Sequence, residues 1–179
     1  MSQKIVAFGA SNSSQSINKQ LATYAAHQIE GAEVQVLDLN DFEMPIYSMD
    51  REKAAGVPEA AAAFKQHLQG ADGIVLSMAE HNGAYTAAFK NIFDWMSRLE
   101  GKVWENKPLF VLSTSPGGRG GQSVLQLAVK SFPFMGAKEI ASFSLPQFGA
   151  NFSADQGITN AELKAKFEEQ LSAFVASLG

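Results

Sequence analysis

Cysteine is missing from all 179 residues, which removes disulfides, thiolate nucleophiles, iron–sulfur ligation and thiol redox chemistry together. Any redox activity must be carried by a borrowed cofactor. Histidine is scarce too: His27, His67 and His81 stand far apart without metal-ligand spacing, so no metal site is expected. His27 and His67 fall among polar neighbours on predicted helix faces and read as surface residues. Basic clusters are lacking. With a net charge of -4 and a pI near 5.4, neither nucleic acid nor an acidic membrane surface is an expected partner. No apolar run approaches bilayer length, and Met1-Ser2-Gln3-Lys4 leads into a short apolar run without the h-region or cleavage site of a leader, so the expected location is the cytoplasm. Three fingerprints are absent as well. Neither G-x-G-x-x-G nor G-x-x-x-x-G-K-[ST] follows the first apolar run, which argues against a Rossmann dinucleotide site and a triphosphate P-loop. Without G-x-S-x-G there is no nucleophile elbow.

What is present alternates between short apolar runs and amphipathic segments. Lys4–Phe8, Glu33–Leu39, Gly73–Met78, Pro108–Ser113 and Lys138–Leu145 read as strands, mostly without polar alternation, as expected of a parallel sheet buried on both faces. Helical spacing of apolar residues follows each: Ile17 to Ile29, Ala61 to Leu68, Phe89 to Met96, Val124 to Phe132 and Leu163 to Leu178. Pro58 suits a first helical position. Thr159 and Glu162 form a capping box for the last helix, with Val175 on its inward face. Lys90 and Asp94 are spaced for an i,i+4 pair. Phe42–Val57 reads as a surface loop. Five strands alternating with five helices predict one α/β domain over residues 1–179, a doubly wound five-stranded parallel sheet whose simplest strand order is 2-1-3-4-5. Ligands of such sheets bind beyond the carboxyl ends of the strands, at the switch between strands 1 and 3.

Three polar or glycine-rich loops lie at such ends. Ser11-Asn12-Ser13-Ser14-Gln15-Ser16-Ile17-Asn18 packs four serines and two asparagines into eight residues before a helix. It reads as an anion cradle without a cation, since hydroxyls and free helix amides both donate hydrogen bonds. Glu80-His81-Asn82-Gly83 follows the third strand; its plainer reading is a polar helix N-terminus capped by Asn82. Ser115-Pro116-Gly117-Gly118-Arg119, within the run Ser113–Gly121, offers bare backbone to a flat ligand.

These loops resemble, in order, the signatures of the NADPH-dependent FMN reductases, flavodoxin-like flavoproteins that include quinone, azo-dye and chromate reductases. Ala10–Asn18 lies over a first loop of the form G-S-x-R-x-x-S-x-N, with Ser11, Ser16 and Asn18 matching, Ala10 in place of glycine and Ser13 where many members carry arginine. Ala79–Gly83 followed by Lys90-Asn91-Ile92-Phe93-Asp94-Trp95 is similar to P-E-Y-N-x-S/G and K-N-x-x-D-W. Ala79 and His81 depart from the proline and tyrosine of that pattern. Ser113–Gly121 matches S-x-S-P-G-G-x-G-G in full. The resemblance implies a flavodoxin-like fold and bound FMN, with its phosphate held by Ser11, Ser13, Ser16, Ile17 and Asn18. Glu80, His81, Asn82 and Gly83 are then expected at one edge of the flavin ring. Ser115, Pro116, Gly117, Gly118 and Arg119 are expected at the other, Arg119 alternatively meeting NADPH phosphates or solvent. Glu80 reads as a brace as readily as a ring contact. Lys90, Asn91, Asp94 and Trp95 read as structural, and Asp38 as a surface residue. The implied reaction takes hydride from NADPH or NADH to the N5 atom of FMN and passes electrons to a small-molecule acceptor such as a quinone, free flavin, azo compound or metal oxyanion, with no catalytic side chain required. The alternative is a one-electron carrier without nicotinamide activity. A homodimer or homotetramer is implied as well.

Overall fold

The computed structural model describes residues 2–179. Five strands form its main sheet: β1 (Lys4–Ala10), β2 (Glu33–Leu37), β3 (Gly73–Met78), β6 (Leu109–Thr114) and β7 (Ile140–Leu145). They pair in parallel in the order β2-β1-β3-β6-β7, the predicted doubly wound arrangement. Side chains alternate across the sheet and divide the core in two. Ile5, Ala7, Val75, Phe110, Leu112, Phe143 and Leu145 face α1 (Ile17–His27) and α7 (Ala161–Ser177). Val6, Phe8, Ile74, Leu76, Leu109 and Val111 face α3 (Glu59–Gln69), α4 (Ala87–Met96) and α5 (Gln122–Ser131). Covering both faces is what made the strands read as continuous apolar runs.

At Gly9 the chain of β1 passes so close to α1 that an added Cβ would lie 2.4 Å from the main-chain nitrogen of Lys19. Only glycine allows that approach, and it brings the first turn of α1 against the ends of the central strands.

Several elements differ from the expectation. Phe42–Val57 is not a plain loop: a 3-10 turn ends at Phe42, and α2 covers Met49–Ala55 with Ser48 Oγ accepting from Arg51 N at 3.2 Å. No residue of α2 is buried, so it has no apolar stripe for a sequence pattern to show. It is held instead by polar contacts, Arg98 and the Tyr47 hydroxyl both reaching the Glu52 carboxylate at 3.0 Å. Pro58 stands at the cap of α3, one residue before the helix. The cap of α7 is Asn160, whose Oδ1 accepts from Leu163 N at 3.0 Å, so the Thr159–Glu162 box does not form. Val175 is exposed. The stretch after β7 contains a one-turn α6 (Phe148–Asn151) and a small hairpin of β8 (Phe152–Ser153) and β9 (Gly157–Ile158). Lys90 and Asp94 do pair, at 2.7 Å. Trp104 is fully buried beside Phe132, ring centroids 4.5 Å apart.

Candidate functional site

The ends of β1, β3 and β6 lie side by side because the sheet reverses its winding between β1 and β3. The loops that leave them enclose a cavity of about 210 Å³ lined by Ser11, Ser13, Gln15, Ser16, Ile17, Asn18, Ala79, Glu80, His81, Thr114, Ser115 and Pro116. Residues far apart in sequence thus share one small polar space.

In the first loop three of the four serine oxygens are already acceptors. Ser13 N donates to Ser11 Oγ at 3.1 Å, Gln15 N to Ser13 Oγ at 3.3 Å, and Lys19 N to Ser16 Oγ at 3.1 Å. A hydroxyl that accepts a main-chain N–H still has its own proton to give. The last of the three bonds makes Ser16 the N-cap of α1. Among the described residues the N–H groups of Ile17 and Asn18 meet no acceptor, as helix geometry requires of a first turn. Lys19, the nearest cation in sequence, is paired with Asp38. That ion pair, together with the Asn40 N–H, holds the Asp38 carboxyl below the usual carboxylate range, and it shows that Asp38 is a partner of α1 rather than a free surface acid. The loop therefore presents protons and the end of a helix dipole, but no free charge.

The Asn18 side chain is turned toward the neighbouring strands. It is buried, its Oδ1 accepting from Ser77 Oγ at 2.7 Å and from Thr114 N at 3.1 Å, while its Nδ2 donates to Thr114 O at 3.2 Å. The side-chain amide, expected among the phosphate contacts, is thus engaged with β3 and β6. Its main-chain N–H meets no acceptor among the described residues.

The second loop is a β-hairpin of β4 (Glu80–His81) and β5 (Ala84–Tyr85). Asn82 and Gly83 form its turn, both with positive φ, 54° and 77°, the conformation that selects Asn-Gly in two-residue hairpins. Asn82 is thus no helix cap; Thr86 caps α4, its hydroxyl accepting from Phe89 N at 3.2 Å and donating to Ala10 O at 2.9 Å. Both strands of the hairpin are tied to α5. Glu80 Oε2 accepts from Val124 N at 2.9 Å, and the Tyr85 hydroxyl meets Ser131 Oγ at 2.8 Å. α5 starts at Gly121 with no side-chain cap of its own, so the Glu80 carboxylate fills that role from a different loop. His81, Asn82 and Gly83 stay exposed at the tip.

In the third loop, Ser115 and Pro116 reach the cavity. A Cβ on Gly118 would meet nothing within 4 Å, and one on Gly117 only Ser115 Oγ at 3.9 Å, so the backbone here is open to an approaching plane. Gly120 is different: the Ser113 and Ser144 hydroxyls both donate to its carbonyl, at 2.7 and 3.0 Å. Gly118 and Arg119 turn toward another depression beside Lys166 of α7, and Arg119 Nη2 donates to Ser123 Oγ at 2.7 Å. Of the predicted set, Asn82, Gly83, Gly117, Gly118 and Arg119 are not among the residues lining the cavity, and Gly118 and Arg119 lie together in the other depression. The structure adds Gln15, Ala79 and Thr114 as lining, with Ser77 and Thr86 as braces. A serine inside the apolar run Gly73–Met78 was the available signal, because a fully buried hydroxyl needs a partner.

The family model described as NADPH-dependent FMN reductase matches residues 3–150. The chain belongs to the NADPH-dependent FMN reductase family. Relatives within reach of it include a 2-hydroxy-1,4-benzoquinone reductase of Burkholderia sp., 35% identical over 121 residues, 67% of this chain and 64% of that one. An NADPH azoreductase of Bacillus sp. (strain OY1-2) is 34% identical over 105 residues, 59% of this chain and 54% of that one. The matched stretches thus span less than two thirds of these relatives' own length. Among solved structures, the FerB flavoenzyme NAD(P)H:(acceptor) oxidoreductase from Paracoccus denitrificans superposes with a TM-score of 0.77 at 24% identity, covering 98% of this chain and 97% of that one. At that identity the likeness shows the fold, which is flavodoxin-like. Each of the three loops likened above to a family signature contributes residues to the cavity.

Proposed function

We propose that the protein is an FMN-dependent NAD(P)H oxidoreductase that passes reducing equivalents to a small-molecule acceptor, a quinone, free flavin, azo compound or metal oxyanion. The observation that carries this reading is the meeting of the three family loops in one cavity at the sheet's switch point. Its residues fit the cofactor. The Ser11, Ser13 and Ser16 hydroxyls and the main-chain N–H groups of Ile17 and Asn18 supply donors for a phosphate, and a neutral hydrogen-bonding cradle at a helix N-terminus suits a dianion. The cavity of about 210 Å³ is of a size for the phosphate end of the cofactor; its flat part would lie on the open backbone of Ser115, Pro116, Gly117 and Gly118 and against the hairpin of Glu80, His81, Asn82 and Gly83.

When bound, FMN supplies the hydride-accepting chemistry. The chain's own share is placement: no acid, base or nucleophile is required of its side chains. Glu80 holds the hairpin by its bond to Val124 N and is not assigned proton transfer. Arg119, engaged with Ser123, is left out of the ring contacts.

A homodimer or homotetramer in the cytoplasm completes the proposal. Ile46, Met49 and Phe134, 75%, 62% and 76% exposed, provide apolar surface for association, and size-exclusion chromatography reports the state. Among the described residues no helix is long and apolar enough to cross a membrane. Steady-state NADPH oxidation with a quinone acceptor tests the enzyme reading. Acceptor-dependent turnover supports it, whereas FMN binding without nicotinamide oxidation would favour the one-electron carrier.

A further inference from the structure

The cavity is built by loops that leave three different strands, and something must hold them in register. Two of them, the serine-rich loop and the glycine-rich loop, are separated by about a hundred residues of chain. A single side chain touches the supports of both. Asn18 stands on the first turn of α1, and its Oδ1 takes the Ser77 hydroxyl from β3 and the Thr114 N–H from β6, while its Nδ2 gives a proton to Thr114 O. The amide therefore closes a two-point ring with the main chain of Thr114, the residue immediately before Ser115. It leaves one acceptor lone pair for Ser77 and one N–H over.

We infer that Asn18 is a positioning residue: its side-chain amide locks the anion loop to the glycine-rich loop, so that the two halves of the site move as one body. Three observations support this. Asn18 is 4% exposed, Ser77 is fully buried and Thr114 is 1% exposed, so water offers no substitute partner and an unmade bond is costly. Thr114 is fixed on its far side as well, its hydroxyl donating to Leu145 O at 2.7 Å, which makes it a rigid anchor. The clamp also meets a backbone that cannot shift: Gly9 lets β1 lie directly against Lys19, the next residue of α1.

The side chain of the signature asparagine then acts through Thr114, while its main-chain N–H stays free for the phosphate. This placement of flavin rests on the function proposed above; the locking of the loops does not. The two are separable by experiment. Amide hydrogen exchange is measured on the ligand-free Asn18→Ala variant, with Ser77→Ala as the milder partner that keeps the Thr114 contacts. Loss of the clamp should speed exchange at Thr114–Gly121 by roughly tenfold, the equivalent of one buried hydrogen bond. Ser77→Ala should do so by less, and the centres of β1 and β3 should stay protected in both. Wild-type rates at Thr114–Gly121 in both variants would overturn the inference.

Binding of FMN is then compared with that of riboflavin, which lacks the phosphate. A clamp predicts that Asn18→Ala weakens riboflavin as well as FMN. Loss confined to FMN would overturn the inference by making Asn18 a direct phosphate ligand. Failure of the wild type to bind either flavin would refute the function proposed above, and the exchange rates would still decide the clamp.

Discussion

A hydroxyl that accepts from the main chain is oriented by that bond, and its proton is thereby aimed elsewhere. Ser16 is the clearest case, because it caps α1 and lines the cavity with one oxygen. Ser16→Ala should cost about 1 kcal/mol of folding stability through the lost cap. It should also weaken FMN by about 1–3 kcal/mol through a lost bond to a charged group, while riboflavin binding changes little. Thermal melts and flavin fluorescence titrations read the two effects. The density of serines is what suggests an anion cradle in the sequence, and the geometry adds the orientation of three of their hydroxyls. Asn18 was legible only as part of that loop. Its partners Ser77 and Thr114 come from distant strands, and nothing local to the sequence records a contact made across 59 or 96 positions.

Elements were readable wherever burial imposed a period. The five strands and the five long helices carry apolar runs or stripes, and all ten are found. α2 buries nothing, and the Glu80–Tyr85 hairpin pairs only two residues on each side, so neither leaves a periodic trace. The Asn82-Gly83 turn was a usable signal for the hairpin; its flanking residues are too short a run to announce strands. The fit of β1 against α1 gives this scale its test. Gly9→Ala would put a methyl group 2.4 Å from Lys19 N, and neither backbone can yield without moving the other. A loss of at least 1–3 kcal/mol, the ordinary cost of overpacking, is expected at about that order or above, together with weaker FMN binding, since the first turn of α1 is what moves. Chemical denaturation measures the first effect. A variant as stable as the wild type would contradict the close approach.

For the whole molecule the fold class followed from alternation of strands and helices, with 2-1-3-4-5 as the simplest strand order, while the site needed three separate loops to be recognised as neighbours. A global property with a definite sign is the ionisation of tyrosine. All three phenols are held above their ordinary pKa: Tyr24 and Tyr85 mainly by burial, Tyr47 mainly by its hydrogen bond to the Glu52 carboxylate. The fold favours the neutral phenols. Their contribution to stability is therefore complete below about pH 10, the unfolded value, and is lost as pH rises from there through the folded values. Ultraviolet titration should show phenolate forming later in the native protein than in denaturant. Coincident curves would contradict the packing of Tyr24 and Tyr85.

The proposed flavin site joins the serine-rich cradle, the hairpin and the glycine-rich loop. Its most direct test is the visible spectrum of the FMN-loaded protein, recorded anaerobically before and after addition of NADPH and again after a quinone. FMN should stay with the protein through gel filtration, its visible band should bleach with NADPH, and the band should return with the quinone. An unchanged band after NADPH, or FMN that separates from the protein entirely, would contradict the proposed site.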